Sequence, residues 1–232
     1  MSSVLTQAHI SAEHRLRQLV TQAATALWGQ LPGYDRKDIA KWTDSIVPVI
    51  LAAQRQSVAL TEGYLARALE RQPIGVDIAA LVGAAVRGGA DPAEVYARPF
   101  VTIWTALSNG RPYEEAVQAG LSRALETARM DVQLSARATF DAVQAADSGI
   151  YGYQRVADGS ACEFCQRLDG AYVKSASAMA LHNGCGCSLE PLTAPHRLAA
   201  YLPSGVAVHE HGELGPMLGS PDHSFTGPSG LA

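Results

Sequence analysis

The chain has 232 residues, a formal net charge of -4, and a composition that is 47% hydrophobic and 17% charged. That balance offers no general attraction to nucleic acid or to an anionic membrane, and Arg15, Arg17, Arg55, Arg67, Arg71 and Arg123 interleave with acids rather than forming a basic patch. No stretch reaches the roughly 18 apolar residues of a membrane span, and residues 1–10 lack the basic and apolar regions of a signal peptide, so synthesis in a cytoplasm with reduced thiols is expected.

Alanine is abundant and aromatics make up only 6%, which favours helix. The first periodic stretch is 11–31, where Leu16, Leu19, Val20, Ala23, Ala24, Leu27, Trp28 and Leu31 form one stripe. Ser11 suits an N-cap, Glu13 would oppose the dipole in the first turn, and Pro32-Gly33 ends the helix. A second helix is expected from Asp35 towards Arg71, with Trp42, Ile46 and Ile50 on its apolar face and a kink or break at Pro48. A short helix at 77–87 stops at Gly88-Gly89. Asp91-Pro92 opens the next helix, which carries Val95, Tyr96, Val101, Ile103, Trp104 and Leu107 and is interrupted at Pro99. The longest helix is expected over 112–147, with Leu121, Leu125, Val132, Phe140 and Val143 on its stripe. At 1.5 Å per residue it is a rod of roughly 50 Å, suited to be the spine of a bundle.

The composition changes at Ser148-Gly149. Tyr151, Tyr153 and Val156 alternate with Gly152, Gln154 and Arg155, as in a strand. The cysteines follow as Cys162-x2-Cys165, nineteen intervening residues, then Cys185-x-Cys187, with His182 three positions before Cys185. Two pairs from separate loops are what a tetrahedral zinc site needs, and 150–192 has too few large apolar side chains to bury a core of its own. Zinc would supply the missing folding free energy. Cys162, Cys165, Cys185 and Cys187 are the expected ligands, with His182 as an alternative to Cys185 or Cys187. Arg155, Arg167 and Lys174 would offset the charge of four thiolates. Unligated cysteines and two disulfides are the competing readings. A Cys165 nucleophile with His182 as base is a third. A redox C-x2-C is disfavoured, because Asp169-Gly170 suggests a turn soon after Cys165. After Thr193 the chain is rich in Pro, Gly, Ser and His without an apolar face, and His209 and His211 read as solvated tail residues.

The expected architecture is therefore mainly α. A helical bundle with one long helix occupies 1–149, a small α+β zinc-stapled module 150–192, and an irregular Gly/Pro/His-rich tail 193–232.

Arg155-Val156, Asp158, Cys162-x2-Cys165, Leu168-Asp169-Gly170, His182-x2-Cys185-x-Cys187 and Pro191 together resemble the C-terminal module of MuF-like minor head proteins of tailed bacteriophages. An alanine-rich helix precedes that module in the family too. Members from phages of actinobacteria are most similar, including the His-Glu-His-Gly-Glu-Leu-Gly-Pro stretch at 209–216. Asn183, Gly184 and Gly186 stand where members commonly carry a proline or a second basic residue.

The resemblance implies a minor capsid protein in the virion, inside the capsid or at the portal vertex. It would be associated with portal and major capsid proteins and act in head assembly or DNA passage. It implies no membrane and no specific nucleic-acid partner, with at most passing contact with packaged DNA. The expectation is a structural protein and not an enzyme. A cysteine-type capsid maturation protease and a nucleic-acid-binding zinc module are the alternatives. The last is opposed by Asp158, Glu163, Asp169 and Glu190 against three basic residues in 150–192.

Overall fold

A computed structural model describes residues 4–159, 161, 163–179, 185–194, 207–211 and 215–219, with backbone alone at 164, 207–211 and 215–219. Cys162 and His182 lie outside the described residues.

Helix α1 spans Val4–Trp28 and so begins seven residues before Ser11. Its buried side chains are Thr6, His9, Ile10, Glu13, Leu16, Arg17, Val20, Ala24 and Trp28, a stripe at three- and four-residue spacing. Four of these positions are polar or charged, which is why apolar periodicity alone starts the helix late. Ser11 is exposed within the helix rather than a cap, and Glu13 is buried in an interface rather than opposing the dipole. Leu19, expected on the stripe, is 60% exposed.

Helix α2 spans Arg36–Ala68 and opens with a capping box, Asp35 accepting from the Lys37 N–H at 2.7 Å and Asp38 from the Asp35 N–H at 3.2 Å. It passes through Pro48 without a break. Pro48 and Asp44, whose carbonyl loses its donor, are both exposed, so the lost hydrogen bond falls on the solvent side of the helix.

The segment expected to be one short helix forms two 3-10 turns, Ile78–Leu81 and Gly83–Arg87. Gly83 opens the second at φ 61°, its N–H donating to Gln54 Oε1 at 2.8 Å. Helix α3, Pro92–Ser108, is capped by Asp91 and runs unbroken through the buried Pro99. The Trp42 indole donates to the Tyr96 carbonyl at 2.9 Å on that stretch of α3.

Helix α4, Tyr113–Ala146, packs against α1, α2 and α3 and is the spine of the bundle. Gly120 lets α3 close on it, since a Cβ there would lie 2.6 Å from Ile103. At mid-helix Asp131 is buried and accepts from Arg87 Nε at 2.5 Å and Tyr96 Oη at 2.7 Å. The main core lies between the four helices, where Trp28 packs with Tyr34, Trp42 and Phe100 at ring distances of 5.0–5.4 Å.

Strand β1, Gly152–Val156, is the middle of a three-stranded antiparallel sheet between β2, Tyr172–Val173, and β3, Ser188–Leu192. A second core crosses residue 149: Tyr64, Leu65, Met130, Phe140 and Val143 of the helices pack with Ile150, Tyr153, Met179 and Leu189. The region 150–192 thus borrows apolar surface from the helical body. In the stretch expected to be irregular, β4, Ala207–His211, pairs antiparallel with β5, Gly215–Gly219. Among the described residues, no helix is long and apolar enough to cross a membrane.

Candidate metal centre

Three cysteines converge from two places in the chain. Cys165 sits on the one-turn helix α5, Glu163–Arg167, where a turn alone was expected. Cys185 and Cys187 lie on the segment leading into β3. Alternation along Cys185-Gly186-Cys187 carries both thiols to the same side, and Gly186 leaves room between them. The Asp158 carboxylate occupies the space a Cβ at 186 would fill. The Asp169-Gly170 turn beneath α5 is fixed by the Ala157 N–H donating to Asp169 Oδ1 at 2.8 Å and by Gly170 at φ 81°.

The three sulfurs lie within 4.8 Å of one another, and Cys165 and Cys185 are 3.8 Å apart. A metal–sulfur bond of about 2.3 Å in a tetrahedron requires sulfurs about 3.8 Å apart. The spacing is far from a 2.05 Å disulfide, and all three are free thiols. Cys165 and Cys185 are each 1% exposed and Cys187 7%.

Contact with the neighbouring sulfurs, and then burial, pushes the Cys165 thiol far above its usual range. Cys187 is lowered by its contact with Cys165 but raised more by Cys185 and by burial, to about 12. A dication would compete with protons for these sulfurs, and buried, closely spaced thiolates suit such an ion. The donors fit a thiophilic metal and not a hard, oxygen-seeking one.

Of the three basic residues expected to balance the site, Arg155 reaches it. Its Nη2 lies 3.2 Å from Cys165 Sγ, 3.4 Å from Cys187 Sγ and 3.5 Å from Cys185 Sγ. Burial alone would lower its pKa, and the three sulfurs more than reverse this. Arg167 pairs with Glu163 on the surface, and Lys174 is exposed.

The helical body holds the sulfur loop through polar residues that apolar periodicity alone does not pick out. Arg17 Nη1 donates to the Cys185 carbonyl at 2.7 Å. His9 Nδ1 meets Ser188 Oγ at 3.0 Å and Nε2 meets Thr61 Oγ1 at 3.2 Å, while its ring stacks on Tyr64 at 4.5 Å. Tyr64 Oη donates to the Leu189 carbonyl at 3.0 Å. Polar side chains at helical spacing that continue an apolar stripe are the sequence signal for such a face.

Comparison with known proteins gives one finding at the level of the family. The family model described as VG15 protein matches residues 2–208. No curated protein and no solved structure matches the chain.

Proposed function

The chain belongs to the VG15 protein family, phage gene products associated with the virion, and we propose that it is a minor head protein of a tailed phage, docked at the portal vertex and braced by a structural zinc ion. The observation that carries the reading is the cluster of three buried free thiols at metal–thiolate spacing within a chain of a phage family. The resemblance of the cysteine motif to MuF-like head proteins supports the proposed position in the particle.

Cys165, Cys185 and Cys187 would hold the ion, with Cys162 or His182 as the fourth ligand. Zinc suits thiolate donors and a closed tetrahedral shell, and it stabilises the fold without redox chemistry. The site ties α5, the sulfur loop and β1 together at the end of the bundle where α1 and α2 dock.

This reading assigns no catalytic step. A cysteine protease needs an exposed, activated thiolate. Here Cys165, Cys185 and Cys187 are buried, and burial with sulfur contacts pushes the Cys165 and Cys187 thiols up.

The test is to purify the protein under reducing conditions for elemental analysis and to localise the chain in assembled particles by reconstruction. About one zinc per chain and a few copies at the portal vertex are expected. A chain absent from particles would overturn the head assignment, and freely titrating native thiols without zinc would overturn the metal assignment.

A further inference from the structure

Arg155 lies on the middle strand, paired with Leu189 of β3, and is 2% exposed. A guanidinium does not lose its proton in a protein, and a buried cation left without compensation is strongly destabilising. From one nitrogen it reaches sulfurs that come from two separate segments, all within 3.2–3.5 Å. Three neutral thiols would be weak acceptors for it, and three thiolates without a metal would repel one another. A dication with three thiolates and His182 carries a net charge of -1, which one guanidinium cancels, and with Cys162 as the fourth ligand it carries -2, which one guanidinium halves.

Resting on the metal assignment above, we infer that Arg155 is the counter-cation of a metal–thiolate centre. It is a positioning residue that makes no bond to the metal, keeps the three sulfurs converging, and so sets how tightly a thiophilic dication is held. Its charge acts on the sulfurs, and its place on the rigid middle strand fixes where they meet. Outer partners of metal ligands tune affinity in this way. Arg167 and Lys174 cannot take its place, being committed to Glu163 and to the surface.

The test uses the full chain, zinc alone as probe, and competition against a chromogenic chelator over a range of pH. Arg155→Gln is expected to weaken zinc binding by about 10–100-fold and to raise the pH at which half the zinc is released, because protons compete better for sulfurs that have lost their cation. Arg155→Lys keeps the charge and is expected to stay within about tenfold of the parent. If Arg155→Gln matches the parent in affinity and release pH, the inference is overturned and the metal assignment stands. If Arg155→Lys loses as much as Arg155→Gln, charge is not the operative property, and the inference is again overturned. Should Arg155→Gln fail to fold by circular dichroism, Arg155→Lys decides: a loss within tenfold supports the inference and a larger one overturns it. A parent protein that binds no zinc overturns the metal assignment itself.

Discussion

Arg17 donates from its guanidinium to the carbonyl of Cys185 at 2.7 Å, joining the first helix to the sulfur loop across 168 positions of sequence. Both residues are buried, so the bond is shielded from water. It orients the peptide that carries Cys185 and leaves the thiol free to turn towards Cys165. Arg17→Met removes a charge-assisted hydrogen bond and orphans a buried carbonyl, and should cost about 1.5–3 kcal/mol. Urea denaturation of the zinc-loaded protein measures this. The variant should also release zinc faster to a chelator, whereas an unchanged release rate would show that the loop is held in place without α1.

Cys165→Ser removes a candidate ligand, and loss of metal-coupled folding energy should cost several kcal/mol. The sequence alone suggests that 150–192 would then unfold while the helices persist. The shared core of Tyr64, Met130, Phe140, Tyr153 and Leu189 makes the outcome more graded. Far-UV circular dichroism should change little. Hydrogen exchange should rise across 150–192 and extend to α1 around His9 and Arg17, with proteolytic cuts between Ser148 and Leu192. Exchange confined to the sulfur loop would mean that the apolar core alone holds the sheet.

Two buried groups on α1 should give opposed pH dependences. Burial raises the Glu13 carboxyl from 4.5 to about 7, against hydrogen bonds from Ser57 and the charge of Arg17. Burial, with Arg17 adding to it, lowers His9 from 6.5 to about 4. Their 3.8 Å approach is therefore a contact of neutral groups near pH 5. Glu13 contributes stability that is fully present below pH 4.5 and lost as pH rises to about 7. His9 contributes stability that is present above pH 6.5 and lost as pH falls to about 4. Each is worth on the order of 3 kcal/mol across its window, and between pH 4.5 and 6.5 the two slopes oppose. Glu13→Gln should unmask a stability that rises with pH, and His9→Gln one that falls. Parallel denaturation curves for parent and both variants over that range would refute the opposed pair.

Much of the helical body is legible in sequence. Asp35 and Asp91 cap where expected, and the stripe from Leu121 to Val143 marks the spine, because caps and apolar periodicity are local properties. The pairing of Cys165 with Cys185 and Cys187 is legible as well, since two close-spaced pairs in a core-poor region have few other reasons to exist. Other features depend on tertiary contacts. Thr6, His9, Glu13 and Arg17 look like a solvated face until α2 and the sulfur loop supply their partners. Arg155 reads as one of three basic residues that could balance the sulfurs, but which of the three reaches them depends on the packing that buries Arg155 and leaves Arg167 and Lys174 on the surface. Pro48 and Pro99 read as breaks, and whether a helix tolerates proline depends on what serves the freed carbonyl.

The tail supplies the remaining prediction. Strand β3 ends at Leu192, so removing 193–232 leaves the sheet order β2-β1-β3 whole. Strand β5 runs beside the 3-10 turn Ala176–Ala178, but that turn is fixed independently by α4. Arg137 Nε donates to the Ala176 carbonyl at 2.7 Å, and Asp141 accepts from the Ala176 and Ser177 N–H groups at 2.7 and 2.9 Å. The truncated chain should therefore fold and take up zinc as the full chain does, with little change in Tm. The segment has no periodic apolar face, and the pairing of Ala207–His211 with Gly215–Gly219 is a two-stranded unit, marginal in isolation. A segment of this kind gains most by ordering against another subunit. Heads assembled with the truncated chain should accordingly carry fewer copies of it, counted by quantitative mass spectrometry of purified particles. Incorporation equal to the full chain would move the docking surface to the helical body, where the exposed Val101 and Leu107 of α3 are the first positions to substitute.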